Sequence, residues 1–526
     1  MFQSNTPQLK TSELKQLACE IFSETLAAVD VAKTMRRKLT LTGSRLSIVS
    51  ASSASSAMPG EAFAQFAVDL EEYNRIRVVA FGKASIEMTR GLLGVLGGEW
   101  GLGGIVVAPH VAAAGAELPS DVLRVDGRHD SAGAEPTESA RADAHDDLER
   151  FQIIRAGHPA PDEGSFLAAR AILELLSGTD ARTLVFFLLS GGGSSLVEMP
   201  LDPAITLAEM QELHQLLVHC GAPIDEINAV RKHLSAVKGG RLAAAAPTAM
   251  KVTLGVTDVP AGCESALGSG PTIPDPTTVS DARNVIERYR LWPKLPAAIE
   301  MKFRAELEQA GEIPETPKAG DPAFALSHFT LLLGMSDLFH QAHRAAEARG
   351  FITLCDNATD DWALVPAVDY LLGELSRLAA ANPGRRVAVI ADGEVSSPVT
   401  GNGMGGRNSA FVLACAEKIA EMTRKVARKT ALGKTALEEA ALEKREMAGR
   451  KIAILSAGTD GKDGSSPAAG AVADEETLEK ARRCGLDPED FARRSDSYNF
   501  FHALGDTVET GPTGNNLRDL RVLLAE

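Results

Sequence analysis

The sequence predicts an α/β protein made of two domains, each with a largely parallel sheet. Short apolar runs recur along the chain, and each ends in glycine or a polar turn, as strands buried on both faces do. Between them lie stretches of helical periodicity, such as residues 166–176. Strands that alternate with helices indicate parallel sheets covered by helices.

Eight apolar runs are the predicted strands, in two sets of four. They lie at 76–80, 105–108, 184–189 and 252–256, and then at 329–333, 351–354, 387–390 and 452–455. Between these two sets, the stretch from about Leu291 to Leu326 is rich in proline and lacks regular periodicity, which indicates a connector. We therefore predict an N-terminal α/β domain over 1–300, a linker over 301–325 and a C-terminal α/β domain over 326–526. Residues 420–451 are charged and rich in alanine, and are predicted to form a solvated helical insertion.

The composition limits the partners of the protein. A net charge of −16 over 526 residues argues against binding to nucleic acid or to anionic membranes, which requires a basic face. No stretch approaches the ~20 apolar residues of a membrane-spanning helix, and no secretory signal is recognisable at the N-terminus. The six cysteines include no C-x-x-C pair, which favours reduced thiols and a cytoplasmic location. The oligomeric state is left open, with a homodimer as one alternative.

Two polar residues follow turns in the N-terminal half. Parallel sheets bind ligands beyond the carboxyl ends of their strands, so Lys83 is a candidate point charge for phosphate, with a solvated surface lysine as the alternative. It is not the lysine of a P-loop, because Arg77 stands where that motif requires glycine. His158 lies in GHPAPDE, where Asp162 can cap the next helix. The histidine could bind a hydroxyl or carboxylate group.

A glycine-rich loop follows the very apolar run at 184–189. Three glycines allow consecutive amides to converge, and a helix that begins there favours an anion. A flexible loop is the alternative. The residues that could bind this phosphate or carboxylate group are Ser190, Gly191, Gly192, Gly193, Ser194 and Ser195.

A basic segment at 228–241 is unusual in an acidic protein. Arg231, Ser235 and Lys238 recur at helical spacing, which predicts one shared helix face. Arg231 and Lys238 are therefore candidates for binding an anionic substrate, and a solvated helix face is the alternative.

Three aspartates follow predicted strands and are candidate magnesium ligands. Asp258 follows the run at 252–256, and Asp460 and Asp463 lie in a glycine-rich loop after the run at 452–455. Mg²⁺ prefers oxygen ligands together with water. Any of the three could instead orient an acceptor hydroxyl group, and Asp258 could also form a turn.

A second glycine loop precedes Arg407. Gly401, Gly403 and Gly406 match G-x-G-x-x-G, and Gly405 adds a further glycine. The match raises a dinucleotide-binding oxidoreductase as an alternative, although no long apolar strand leads directly into the first glycine. Arg407 stands at the start of the next helix, with donors aimed at any anion that the loop holds.

As a set, these motifs resemble the glycerate 2-kinase family, whose C-terminal half is called the MOFRL domain. The resemblance rests on GKAS at 82–85, GHPAPDE at 157–163, SGGGSSL at 190–196, NAVRKHLSAVKGGRLA at 228–243, TDVPAGCESALGSGPT at 257–272, GNGMGGRN at 401–408, AGTDGKDGSSPAAGA at 457–471 and GPTGNN at 511–516. The motifs occur in the family's order over nearly the whole chain.

The resemblance implies two α/β domains with the active site in the cleft between them. It implies ATP as co-substrate, Mg²⁺ and the substrate D-glycerate, which would be converted to 2-phosphoglycerate. It identifies Lys83 and Arg407 as the catalytic basic residues. An older name in the family, hydroxypyruvate reductase, keeps an NAD(P)-linked reductase as the alternative function.

Overall fold

The computed structural model describes residues 12–49, 66–110, 148–257, 259, 262–307, 313–431 and 449–526. The chain divides into two compact units, and one of them is discontinuous. The first unit is Val31–Gly334, and the second combines Met1–Asp30 with Met335–Glu526.

Sixteen α-helices and fifteen strands occur in the described residues. The helices are α1 (Glu13–Ala28), α2 (Val31–Lys38), α3 (Ser85–Leu96), α4 (Glu163–Ser177), α5 (Gly193–Leu196), α6 (Leu207–His219), α7 (Ile224–Leu234), α8 (Arg241–Ala244), α9 (Val279–Arg288), α10 (Ala297–Leu307), α11 (Met335–Glu347), α12 (Leu364–Ala381), α13 (Arg407–Ala431), α14 (Thr477–Arg483), α15 (Pro488–Arg493) and α16 (Ser497–Leu504). The strands are β1 (Leu39–Thr42), β2 (Arg45–Ile48), β3 (Phe66–Asp69), β4 (Arg75–Phe81), β5 (Gly103–Pro109), β6 (Phe151–Ala156), β7 (Thr183–Ser190), β8 (Met250–Val256), β9 (Ser327–Leu333), β10 (Ile352–Asp356), β11 (Val387–Asp392), β12 (Ile452–Gly458), β13 (Gly470–Asp474), β14 (Thr507–Val508) and β15 (Asp519–Ala525). All eight predicted strands are confirmed, and the predicted helix at 166–176 lies within α4.

The first unit is built on a six-stranded parallel sheet in the order β6-β5-β4-β7-β8-β9, beside a three-stranded antiparallel sheet of β1, β2 and β3. Every residue of the central strand β7 is buried, as its continuous apolar sequence predicts. The register pairs Phe81 of β4 with Leu189 of β7, so the loops that follow these two strands begin side by side. The parallel sheet thereby gathers several polar turns at one edge.

The second unit contains a mixed sheet in the order β10-β11-β15-β12-β13-β14. Only β10 and β11 pair in parallel, and the other neighbours are antiparallel. The α/β class is confirmed, but the prediction of a largely parallel sheet is wrong for this unit. The reason is β15, which inserts antiparallel between β11 and β12. A central strand buried on both faces has the same apolar sequence in either direction, so hydrophobicity alone does not reveal its polarity.

The units also differ from the predicted domain bounds. Strand β9 pairs with β8 and belongs to the first unit, whereas the predicted boundary at 326 assigned it to the C-terminal domain. The predicted linker 301–325 contains the end of α10 and also buried residues of the first unit, such as Thr316. Helix α1 belongs to the second unit. The proline-rich composition therefore marks irregular structure within the first unit. The predicted insertion at 420–451 begins within α13, and residues 432–448 lie outside the described residues.

None of the described helices is long and apolar enough to span a lipid bilayer.

Candidate active site

Lys83 lies directly beside the first glycine loop, because β4 and β7 end side by side. The backbone N–H of Lys83 donates to the carbonyl oxygen of Gly191 at 2.9 Å, and the N–H of Ala84 donates to Ser190 Oγ at 2.9 Å. Gly82 has φ +125°, and a Cβ there would lie 2.2 Å from Ser190 Oγ. Only glycine fits this close approach. The two turns are therefore joined by hydrogen bonds, and the Ser190 hydroxyl group takes part in joining them.

His158 completes a cluster with Lys83 and Gly192. Gly192 has φ +83°, and a Cβ there would lie 3.0 Å from His158 Nε2 and 3.4 Å from Lys83 Cγ. Burial lowers the pKa of His158, and the charge of Lys83 lowers it further. The imidazole is therefore neutral at neutral pH, able to donate from one nitrogen and accept at the other. Three residues predicted from separate motifs thus lie together.

The serines of the same loop contact another predicted motif. Ser194 Oγ lies 2.8 Å from Ser269 Oγ, which in turn donates to Asn228 Oδ1 at 3.0 Å. Ser195 Oγ donates to the carbonyl oxygen of Gly192 at 3.3 Å. These bonds connect the glycine loop to α7 and to the turn after β8.

Lys238 does not face a ligand, and the prediction of one basic helix face is wrong. Helix α7 ends before Ser235, so Lys238 lies beyond it. Lys238 is 1% exposed, and its Nζ forms an ion pair with Glu198 Oε2 at 2.5 Å. Ser235 Oγ donates to Glu198 Oε1 at 2.6 Å, and His214 Nε2 lies 3.4 Å from Oε2. Burial alone would raise the pKa of Glu198, but Lys238 and His214 lower it to about 2. Lys238 therefore balances a buried carboxylate, a role that its sequence position did not reveal.

Arg231 is the second basic residue of this segment, and its surroundings differ. It is buried, and its Nε has no hydrogen-bond partner in the described part of the chain. Within the same residues no carboxylate forms an ion pair with its guanidinium group. Burial lowers the pKa of Arg231, and the negative charge of Glu198 partly opposes this shift. A buried guanidinium group without a direct partner carries a large desolvation cost, which a bound anion would offset.

In the second unit, Arg407 is held by two carboxylates. Its Nε donates to Asp519 Oδ2 at 2.5 Å, and Nη1 donates to Glu394 Oε2 at 2.7 Å. Nη2 lies 3.3 Å from Asp519 Oδ1, which makes the contact with Asp519 bidentate. Burial would lower the pKa of Arg407, but the two carboxylates raise it above its usual value. About 35% of the side chain remains exposed, so the fixed guanidinium group still has an accessible edge.

The glycines before Arg407 serve packing within the protein. A Cβ at Gly401, Gly403, Gly405 or Gly406 would lie 2.2–2.5 Å from atoms of Asp463 or of residues 494–497. The amides of Gly403, Gly405 and Gly406 donate to Arg494 O, Ser465 Oγ and Ser409 Oγ. The predicted anion-binding use of these three amides is therefore wrong, because all three are engaged internally.

The same loop does not have the geometry of a dinucleotide-binding turn. That turn joins a strand directly to a helix. Here β11 ends at Asp392, and an irregular segment separates it from Gly401. The G-x-G-x-x-G match is a coincidence of packing glycines.

The three predicted metal ligands have different outcomes. Asp463 is buried and accepts hydrogen bonds from the amides of Asn408 and Ser409, both at 2.9 Å. It therefore caps α13, and its prediction as a metal ligand is wrong. Asp460 is partly exposed, and its Oδ1 accepts a bond from the Lys462 amide at 3.0 Å. Asp258 lies outside the described residues. No group of three or more metal-binding side chains occurs in the part of the chain that the structure describes.

A buried charge network behind Arg407 was not predicted. Asp392 and Arg521 are both fully buried, and neither oxygen of the Asp392 carboxylate has a partner in the described residues. Arg521 Nη1 lies 3.3 Å from the Asp392 backbone oxygen, and its Nη2 lies 3.8 Å from Asp519 Oδ2. Burial raises the pKa of Asp392 to about 6, with Arg518 opposing the shift. An arginine within the apolar run of β15 was the signal that could have revealed this network.

The second unit also contains a cavity of about 1130 Å³. Arg407, Asp460 and Lys462 line one part of it, and residues 363–366 together with Val395, Pro398 and Val399 supply apolar walls. Its volume is slightly larger than the ~300–1,000 Å³ of typical small-molecule sites.

A glycine-rich turn that holds a lysine beside a neutral histidine at the edge of a parallel sheet is typical of the class of α/β proteins that bind small anions. The chain matches two family models, the domain of unknown function DUF4147 over residues 17–304 and the MOFRL family over residues 387–519. These two models together cover most of the chain.

Individual relatives are consistent with these models. A D-glycerate 2-kinase from Thermotoga maritima is 34% identical over 71% of this chain and 80% of its own length. A protein from Agrobacterium vitis with the provisional name hydroxypyruvate reductase is 38% identical over 71% of this chain and 77% of its own length. The crystal structure of a glycerate kinase from Thermotoga maritima superimposes with a TM-score of 0.69 at 28% identity, over 98% of this chain and 99% of that one. The chain belongs to the glycerate 2-kinase family.

Proposed function

We propose that this protein is a glycerate 2-kinase that transfers the γ-phosphoryl group of ATP to the 2-hydroxyl group of D-glycerate. The cluster of Lys83, His158 and Gly192 supports the proposal most directly, because it places a cation and a neutral imidazole together at a sheet edge. The sequence similarity to a D-glycerate 2-kinase indicates that D-glycerate is the substrate.

The reaction needs positioning and charge stabilisation rather than a covalent intermediate. The 2-hydroxyl oxygen attacks the γ-phosphorus, the bond to the ADP oxygen breaks, and the hydroxyl proton passes to a base. Lys83 would stabilise the charge on the γ-phosphoryl oxygens as a point charge. His158, neutral at neutral pH, would bind the hydroxyl group and could accept its proton.

The substrate carboxylate needs its own cation. We assign it to Arg231, which is buried without an ion-pair partner in the described residues and lies on α7, three residues after Asn228. A guanidinium group binds a carboxylate in two parallel hydrogen bonds. The amides of Gly191, Gly192 and Gly193 and the Ser194 hydroxyl group would contribute further donors to the bound anion.

Arg407 would act on the phosphoryl group as a fixed donor. Asp519 and Glu394 hold its guanidinium group in place, so little reorganisation accompanies the reaction. Mg²⁺ is part of this proposal, and it would neutralise charge on the phosphate oxygens. Asp460 and Asp258 remain the candidate ligands, since Mg²⁺ with nucleotides often uses one or two carboxylates and completes its shell with phosphates and water.

An NAD(P)-linked hydroxypyruvate reductase is the second candidate function, and the provisional name of the Agrobacterium vitis relative favours it. The position of the G-x-G-x-x-G match away from any strand end argues against it. Incubation of the protein with D-glycerate and either ATP or NAD⁺ separates the two.

The decisive experiment is ³¹P NMR of the product formed from ATP, Mg²⁺ and D-glycerate. We expect a phosphate monoester that enolase alone consumes, without phosphoglycerate mutase. A product that needs the mutase would contradict the 2-position, and oxidation of glycerate without ATP would favour the reductase. We further propose a cytoplasmic location, in keeping with six free cysteines, and we leave a homodimer to be tested by light scattering.

A further inference from the structure

We propose that the cavity of the second unit binds the adenine nucleotide. The inference rests on the proposed function for its co-substrate, but it names a site that the family relationship does not assign. The cavity, of about 1130 Å³, is lined entirely by residues of the second unit. It can accommodate a nucleoside triphosphate, since small-molecule sites occupy ~300–1,000 Å³.

One face of helix α13 forms a wall along the cavity. Arg407, Ala410, Ala414 and Glu417 of α13 all line it. At 1.5 Å of rise per residue, the positions from Arg407 to Glu417 span about 15 Å along the helix axis. An extended nucleotide is of this order of length, so one helix face can contact it from the phosphates to the base.

The chemistry changes along this length. At the Arg407 end lie Lys462 and Asp460, a cation and a carboxylate suited to phosphate oxygens and their metal. The amides at the start of α13 are not the phosphate site, because Asp463 already accepts their hydrogen bonds. The phosphates would therefore contact side chains.

Other walls of the cavity are apolar and in part exposed. Val365 is 63% exposed and Val399 is 81% exposed, and both line the cavity together with Pro366 and Phe491. Exposed valines at the mouth of a cavity are typical of a site for a flat apolar group. A purine base provides such a group and would cover these side chains.

The far end is acidic, and this polarity sets the orientation of the nucleotide. Glu417 lines the cavity there, and Glu489 and Asp487 lie near it. A triphosphate would be repelled at this end. The 6-amino group of adenine is a hydrogen-bond donor that Glu417 can accept, whereas guanine presents an acceptor oxygen at the same position. Glu417 thus selects adenine over guanine.

The test is direct binding of ADP to the full chain by isothermal titration calorimetry with Mg²⁺. Ala414→Trp fills the cavity from the helix, and Val365→Asp replaces an apolar wall with a negative charge. We expect each variant to weaken ADP binding at least tenfold. Val218→Asp is the matched control, because Val218 is 62% exposed in the first unit, and it should leave the Kd for ADP unchanged.

Base selection is measured with the same assay. The wild-type protein should bind ADP more tightly than GDP, and Glu417→Gln should narrow this preference, because a glutamine amide can also donate to guanine. Equal affinity of the wild-type protein for ADP and GDP would remove Glu417 from the inference.

The outcomes separate this inference from the proposed function. If both wall variants bind ADP normally and still phosphorylate D-glycerate, the nucleotide binds elsewhere and the inference fails alone. If they lose ADP binding while the wild-type protein binds ADP but does not phosphorylate glycerate, the site stands and the proposed acceptor is wrong. Should Ala414→Trp fail to fold, Val365→Asp alone decides.

Discussion

The two glycine-rich loops show that the same composition can serve opposite purposes. In the loop at 190–195, the missing side chain of Gly192 makes room for His158 and Lys83. In the loop at 401–406, the missing side chains make room for atoms of Asp463 and of residues 494–497, and the amides of Gly403, Gly405 and Gly406 bond internally. One loop leaves polar groups free to meet a ligand, whereas the other positions Arg407 at the start of α13. What occupies the space beside a glycine, rather than the glycine itself, determines its use.

The largest effect is expected from a residue beside the first loop that no ligand reaches. Lys238→Met leaves the buried Glu198 carboxylate without its cation, and breaking such a pair costs about 3–5 kcal/mol. The free energy of unfolding, measured with urea, should fall by this amount. An unchanged urea midpoint would mean that Lys238 is not the main partner of Glu198 and would restore its candidacy as an anion ligand.

Variants of Lys83 and Arg407 should both lose activity, but they should differ in how much stability they lose. Removal of a preorganised donor typically lowers kcat by ~10²–10³, about 2.7–4 kcal/mol, and both Lys83→Met and Arg407→Met should show such a loss. Lys83→Met should stay within about 0.5 kcal/mol in stability. Arg407→Met should lose about 1–3 kcal/mol of unfolding free energy, because the buried Asp519 carboxylate loses its hydrogen-bonded partner.

Steady-state kinetics and a thermal melt of each variant provide the measurement. Arg407→Lys should also have a low kcat, since an ammonium group cannot reproduce the bidentate contact with Asp519. Near-normal kcat in either Met variant, with a normal melt, would exclude that residue from the mechanism.

The charge network behind Arg407 should reveal itself in the pH dependence of stability. Burial raises the pKa of Asp392 to about 6 from an ordinary 3.8, so the folded state favours the protonated carboxyl group. Below about pH 4 both states are protonated and there is no cost. The cost develops as pH rises towards 6, and above that it amounts to about 2–3 kcal/mol.

Asp392→Asn should therefore gain stability relative to the wild-type protein between pH 4 and pH 7, as measured by urea unfolding at each pH. The gain should be constant above pH 7. A difference between the two proteins that does not change over this range would show that Asp392 is ionised with an ordinary pKa.

The smallest effects on activity are expected from the glycines themselves. Gly192→Ala places a Cβ near His158 on a residue in the left-handed conformation, which costs about 1–2 kcal/mol of strain. This variant should also have a lower kcat.

Gly401→Ala pushes against the carbonyl oxygen of Arg494 and should cost about 1–3 kcal/mol in unfolding free energy. Its kcat per folded molecule should fall less than that of Gly192→Ala. Equal losses of kcat would show that both loops contact the substrate.

The sequence was sufficient to predict the α/β class, eight strands and the motifs that carry Lys83 and His158. These succeed because they depend on local patterns, namely apolar runs and the turns that follow them. The assignments that failed, and the contacts that were not predicted, depend on distant partners. Lys238 meets Glu198 at a separation of 40 residues, and Arg407 meets Asp519 at a separation of 112. No periodicity relates such pairs, so the sequence could not show which cations were already balanced.

The insertion of β15 has a consequence for synthesis on the ribosome. The second unit joins residues far apart in the chain, since Lys15 bonds Asp506 at a separation of 491 residues and β15 lies at the centre of the sheet. The first unit is continuous and can fold while translation proceeds. The second cannot complete its sheet until residues 519–525 have left the exit tunnel. This strand also brings Asp519 to Arg407, so the nascent second unit acquires the fixed arginine only after β15 has joined the sheet.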